Sequence, residues 1–286
     1  MARIAYVNGR YRPHREAVIH VEDRGYQFAD GVYEVVAVAG GKLVDEDWHL
    51  DRLDRSLKEL RIAAPMPRAA LRMVMREVIR RNLVADGMVY MQMTRGVAPR
   101  DHVFPKNVDT AIVITARRKK PPAAELLEKG AKAISIPDIR WARCDIKSVS
   151  LLPNVLGKQQ AIEAGAYEAF QIDREGFVTE GTATNAWIVT PKDELVTRSA
   201  GPEILNGITR LAVIEIAKGQ GLRFVERRFT LADVKAAREA FVTGSTAFVM
   251  PIVRIDDATI GDGKPGALTR ALRQAYIDRI GAQDAA

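Results

Sequence analysis

Apolar residues along the chain follow two kinds of spacing, and the switches between them mark the elements. Ala5-Tyr6-Val7 and the Arg10-Tyr11 stretch flank Asn8-Gly9, a dipeptide suited to the left-handed residues of a tight hairpin. Val32 to Ala39 predicts a strand closed by Gly40-Gly41 and followed by Lys42-Leu43-Val44. From Asp47 to Leu60, Leu50, Leu53, Leu57 and Leu60 recur at three- and four-residue intervals, which predicts an amphipathic helix. Leu71 to Leu83 predicts a second helix, and Met88 to Thr94 and Ala111 to Ala116 predict apolar strands. Further on, strands are expected at Ala131–Ile136, Glu168–Ile172, Ala186–Val189 and Glu239–Val242, and helices at Leu156–Gly165, Ile208–Gly219 and Leu268–Ile280. Arg117-Arg118-Lys119-Lys120-Pro121-Pro122 interrupts the pattern with charge and a double proline, as an extended polar linker does. The order of elements is α+β rather than a strict βαβ alternation. It predicts a small domain over 1–118, a linker over 119–123 and a larger domain over 124–286.

Composition narrows the class. With 47% hydrophobic and 28% charged residues in 286, the chain is an ordinary globular one with material for a sizeable core. The net charge of +7 is dispersed and its densest run is the linker, so nucleic acid is not an expected partner. One cysteine excludes an intrachain disulfide, and no stretch approaches a signal peptide or a membrane span; a cytoplasmic setting is expected.

Several short segments could carry chemistry. Lys147 lies in a mixed apolar and polar stretch, Ile139 to Ser148, with Arg140 and Arg143 nearby. A Schiff-base lysine must be neutral near pH 7, which desolvation or neighbouring cations can achieve. Alone, the residue reads more readily as an exposed lysine. Leu205-Asn206-Gly207-Ile208-Thr209-Arg210 leads from a turn into a helix whose first N–H groups suit a phosphate. Phe241 to Thr246 ends a strand in a small hydroxyl-bearing turn around Gly244 and Ser245. Each could equally be an ordinary capped turn. Neither is a Walker or dinucleotide loop, so ATP and NAD are poor candidates. Glu180 precedes Gly181 and reads either as a turn residue or as a carboxylate partner for a protonated ring nitrogen. Arg100 and His102, two apart on a Gly/Pro loop, point the same way in extended backbone and could grip one carboxylate.

Taken in order, these segments resemble the class IV (fold type IV) pyridoxal-phosphate aminotransferases, and within them the D-amino-acid branch. The resemblance runs nearly end to end: Phe28-Ala29-Asp30-Gly31-Val32-Tyr33-Glu34, His49-Leu50-Asp51-Arg52-Leu53, the Arg100/His102 loop, Cys144 to Asn154, Thr179-Glu180-Gly181, Gly207 to Arg210, and Gly244-Ser245-Thr246 with Pro251. It implies two α+β domains, the second with a barrel-like sheet, in a homodimer whose partner helps to close the active site. Lys147 would hold pyridoxal 5'-phosphate and move the substrate's Cα proton, while Glu180 would pair with the pyridine nitrogen. Arg52, the backbone of Ile208 and Thr209, and Gly244-Ser245 would hold the phosphate, with Leu205 behind the ring. Gly244 stands where a relative carries a hydroxyl, which removes one phosphate hydrogen bond. Tyr33, Arg100 and His102 would form the carboxylate trap; no metal is implied.

The implied reaction is ping-pong transfer from a D-amino acid such as D-alanine to a 2-oxo acid such as 2-oxoglutarate through pyridoxamine phosphate. The same fold serves branched-chain and (R)-amine aminotransferases and aminodeoxychorismate lyases, which share the lysine, glutamate and phosphate residues. A non-catalytic anion- or nucleic-acid-binding protein is the rival outside that class, though charge alone gives only non-specific attraction.

Overall fold

Asn8 and Gly9 both take positive φ (45° and 86°), turning β1 (Ile4–Val7) tightly into β2 (Arg10–Pro13), as Asn-Gly hairpins do. This computed structural model describes residues 3–120 and 122–285, and the chain falls into two compact units. One runs to Lys120 and also takes in Ile146–Ser150; the other holds the chain from 122 to 145 and from Leu151 on. The sequence reading assigned Ile146–Ser150 to the second domain. The segment instead lies along a strand of the first unit, because Ile146 is buried in that unit's core.

The first unit is built on a six-stranded antiparallel sheet in the order β2-β1-β6-β5-β3-β4, with β3 Gly31–Ala39, β4 Lys42–Leu43, β5 Gly87–Thr94 and β6 Ala111–Arg118. A short helix α1 (Arg24–Phe28) precedes β3. Two longer ones, α2 (Glu46–Glu59) and α3 (Arg68–Arg81), follow β4. Strand alternation sends Val32, Val36, Met91, Met93, Ile112 and Ile114 to one face, where Leu50, Leu53, Leu57, Met75 and Val78 of the helices bury them. The other face carries Tyr33 beside Gln92 and Val35 beside Tyr90. Arg117 and Arg118, which open the charged run but belong to the expected first domain, complete β6 by pairing with Met88 and Gly87.

The second unit opens with α4 (Ala124–Lys129) and β7 (Ala131–Pro137), followed by α5 (Leu152–Glu163), β8 (Glu168–Ile172), β9 (Val178–Gly181), β10 (Asn185–Val189) and β11 (Leu195–Thr197). It continues with α6 (Ile208–Gly219), β12 (Phe224–Glu226), α7 (Leu231–Ala236), β13 (Glu239–Gly244), β14 (Phe248–Ile255), β15 (Ala258–Thr259) and α8 (Ala267–Ala285). The mixed sheet runs β12-β11-β10-β13-β14-β7-β8-β9, with β15 on β14. Strand β9, last in that order, turns through 182–184 straight into β10, third in the order, and Gly181 N donates to Thr184 O at 2.7 Å. The sheet therefore curls back on itself as a half-barrel. Ala186, Ile188, Val242, Met250 and Ile252 fill one side, while Trp187, Val189, Phe241 and Val249 face Val213 of α6 and Leu272 of α8 on the other.

Candidate functional site

Lys147 reaches its position through the backbone of Ile146–Ser150, which docks on the start of β3. Tyr33 N donates to Lys147 O at 3.0 Å, Val149 N donates to Gly31 O at 3.0 Å, and Lys147 N donates to Ser56 Oγ at 3.3 Å. Ile146 and Ser148 are buried while Lys147 and Val149 are half-buried, so the extended alternation turns the lysine side chain away from the core. Its Nζ lies 4.1 Å from the centre of the Tyr33 ring, a cation–π contact. Tyr33 in turn lies 5.9 Å from Tyr90, whose hydroxyl burial pushes up to about 12.

On the helix-covered side of the same strand, Glu34 is wholly buried. Arg52 Nε and Nη2 donate to its two oxygens at 2.8 Å each, and His49 Nδ1 lies 2.8 Å from one of them. Burial pushes the Glu34 carboxyl up, but the Arg52 guanidinium and the His49 ring hold it well below the usual carboxylate range. Burial pulls His49 below its ordinary 6.5, against the pull of Glu34. Arg52, expected from the sequence to hold a phosphate, is thus set in place by Glu34 and His49, two residues to which the sequence reading gave no role.

Arg100 and His102 stand on the exposed loop after β5 and gather about one ring. The Arg100 guanidinium lies 4.7 Å from the centre of Phe28, and the His102 ring 5.4 Å from it.

In the second unit Glu180 is a strand residue rather than the turn residue its following glycine suggests. It is buried within β9, and Arg140 Nη1 donates to Oε1, Asn185 Nδ2 to Oε2 at 2.9 Å, and Leu205 N to both oxygens at 3.2 Å. Burial pushes the Glu180 carboxyl above its ordinary value, against the pull of Arg140 and of the Leu205 amide. Arg140, considered in the sequence for its effect on Lys147, is committed here: besides Glu180 it donates to Asp138 at 2.7 Å and to Glu203 O at 3.0 Å.

Around the start of β10 the remaining residues of this unit converge. Asn185 Nδ2 also donates to Leu205 O at 2.8 Å, and its Oδ1 lies so close to Gly207 that a Cβ there would meet it at 2.1 Å. Gly207 is the N-cap of α6 with no side-chain cap. Thr209, in the first turn of α6, buries its hydroxyl without a hydrogen-bond partner among the described residues. Asn185 pairs with Thr243, so β13 delivers Gly244 and Ser245 beside the same turn, with Gly244 facing Thr184. An uncapped helix N-terminus, an orphaned buried hydroxyl and a hydroxyl-bearing turn together fit a phosphate.

The family model described as Amino-transferase class IV matches residues 31–255, which holds nearly all of these groups. The chain belongs to the class IV aminotransferases. The aminotransferase is 40% identical to the D-alanine aminotransferase of Bacillus licheniformis over 96% of its own length and 95% of that relative's. Among solved structures it is similar to 4-amino-4-deoxychorismate lyase from Pseudomonas aeruginosa (TM-score 0.84, 25% identity, 96% and 98% of the two chains). The fold is shared with the Escherichia coli branched-chain amino acid aminotransferase at a TM-score of 0.90 and 24% identity, over 98% and 95%. No helix among the aminotransferase's described residues is long and apolar enough to cross a membrane.

Proposed function

We propose that the protein uses pyridoxal 5'-phosphate to transfer the amino group of a D-amino acid such as D-alanine to a 2-oxo acid such as 2-oxoglutarate. The observation that carries this reading is the likeness to D-alanine aminotransferase over essentially the whole of both chains. The Arg100 guanidinium held over Phe28, with the His102 ring beside the same phenyl, supports it, because a donor with a carboxylate needs a fixed positive partner.

The proposed cofactor partners fall into a phosphate group and a ring group. Thr209, the amides of α6's first turn, Ser245 and Arg52 are the proposed phosphate partners, and the orphaned Thr209 hydroxyl supports that assignment. Leu205 is proposed to lie behind the ring. Glu180 is the proposed partner of the ring nitrogen: the three groups described at its oxygens all donate, which suits an ionised carboxylate. When bound, pyridoxal phosphate supplies an aldehyde that accepts the amino group and a ring that withdraws electrons from the substrate Cα. Lys147 Nζ would hold the cofactor and would act as the base and acid for the proton at the substrate Cα. Tyr33, which also lies against the lysine Nζ, is proposed to bind the donor's carboxylate together with Arg100 and His102.

The working form is proposed to be a cytoplasmic homodimer. Helix α5 buries Gly157 and Ala161 but leaves Leu152, Val155, Leu156 and Ile162 exposed on its opposite face, an apolar stripe that a second copy would cover.

The test is a donor panel with 2-oxoglutarate as acceptor. Transfer from D-alanine, with near-ultraviolet or visible absorbance of lysine-bound cofactor that Lys147→Ala abolishes, is the expected result. The branched-chain fold likeness gives the competing outcome a definite form: transfer from L-leucine alone would replace the D-amino-acid reading, and full turnover by Lys147→Ala would remove the lysine's role.

A further inference from the structure

We propose that Phe28 is a positioning residue that presets Arg100 and His102, and so sets how strongly the enzyme favours carboxylated donors; this rests on the proposed carboxylate role of that pair. Phe28 ends α1, and the chain leaves it through Ala29 in the left-handed region (φ 56°), whose N–H bonds back to Arg24 O and Gly25 O. One side of the assembly is held by a buried, hydrogen-bonded arginine. Arg24 is 3% exposed, its guanidinium lies 4.8 Å from the Phe28 ring centre, and it donates to Asp30 at 2.9 Å and to the Asp101 carbonyl at 2.6 Å. Asp101 is the residue between Arg100 and His102.

Asp30 also receives Arg95 through Nε at 2.7 Å and Nη2 at 2.9 Å, and the Arg95 guanidinium lies 3.6 Å from the centre of Phe104. The loop is therefore fastened at Asp101 and again at Phe104, both through the carboxylate of Asp30. Arg100 and His102 themselves are exposed and lie on irregular backbone, where a long cationic side chain otherwise samples many rotamers. The Phe28 ring gives both of them a common rest position. That placement accounts for Phe28 and Asp30 within the Phe28-Ala29-Asp30-Gly31 segment, to which no role in the chemistry had been given.

The experiment measures KM and kcat for D-alanine with holoenzyme of the wild type, Phe28→Leu, Phe28→Tyr, and each of these in an Arg100→Ala His102→Ala background. A cation–π contact at an exposed site, like an aromatic ring pair, is worth about two- to fivefold in an equilibrium, so losing one of each should raise KM about tenfold in Phe28→Leu. The expected pattern has kcat within about twofold, cofactor absorbance unchanged, Phe28→Tyr close to wild type, and no further rise when Phe28→Leu is added to the clamp-less background. Phe28→Met, which keeps the volume, takes the place of Phe28→Leu if that variant does not fold. An unchanged KM, an equal rise in the clamp-less background, or a loss of kcat together with cofactor overturns the inference. Failure of the underlying reading shows itself separately: wild type would not use D-alanine, or Arg100→Ala His102→Ala would leave its KM unaltered.

Discussion

Glu34 and Glu180 are both buried carboxylates beside an arginine, yet their acidities move in opposite directions. Glu34 has the Nε and Nη2 side of Arg52 together with His49. At Glu180 burial outweighs Arg140, which is shared with Asp138, and the Asp138 charge adds to the rise. The first is thus a structural anchor, and the second is the residue proposed to face a protonated ring. Glu180→Gln, which removes the charge and turns an NH2 group toward one of three donors, should lower kcat by about tenfold to a hundredfold, the weight of a hydrogen bond to a charged group, and should also lower the unfolding temperature of the apoprotein. For the anchor the sign is set by protons. His49 is held below its ordinary 6.5, so as the pH falls through that value the unfolded chain binds a proton that the folded chain refuses, and stability drops. Glu34, held below its ordinary 4.5, adds a further loss at more acid pH. Urea midpoints should therefore fall between pH 7.5 and 5.5, and His49→Asn should flatten that part of the profile. Glu34→Gln takes a bidentate carboxylate away from the buried Arg52 guanidinium and should cost about 3–5 kcal/mol. At this scale the sequence was partly legible: Lys147, Arg100 and Glu180 sit in recognisable segments. The pairings of Glu34 with His49 and of Arg140 with Glu180 were not legible, because the partners lie 15 and 40 residues apart along the chain.

Helix α6 shows what an element does that its residues alone do not. Its apolar spacing made Ile208–Gly219 legible, and the structure gives the same bounds. The turn before it was harder to interpret, since Gly207 matters less for its own conformation than for the Asn185 side chain pressed against it. Gly207→Ala should push Asn185 away from Glu180 and Leu205 and weaken cofactor retention by about tenfold, the weight of a hydrogen bond, as read by dialysis and absorbance. Thr209→Val separates binding from folding. Removing a buried hydroxyl that has no protein partner should leave the apoprotein as stable or more so, while cofactor affinity falls. A parallel loss of apoprotein stability would mean that the hydroxyl serves the fold. Strand β9 was missed because Thr179-Glu180-Gly181 lacks the alternation of a strand: all four residues of β9 are buried, which erases the two-residue period.

For the whole molecule, the homodimer proposed above predicts sedimentation at twice 31.6 kDa. Leu156→Glu, placing a charge in the exposed stripe of α5, should shift the population to single chains. Equal masses for the two proteins would place the contact elsewhere. The α+β character and most long elements could be read from periodicity. The division of the chain could not, because a linker is recognised by composition while Ile146–Ser150 joins its unit through spatial contacts of Ile146 and Ser148. That return of the chain has a consequence for inheritance. The first unit is not a contiguous stretch of gene: a crossover after Lys120 between two related chains would pair the β3 of one parent with the lysine-bearing segment of the other. The reactive amine and the strand it leans on must then be matched across a recombination point, so exchange of whole units among relatives is expected to succeed only with two further crossovers, one on each side of 146–150.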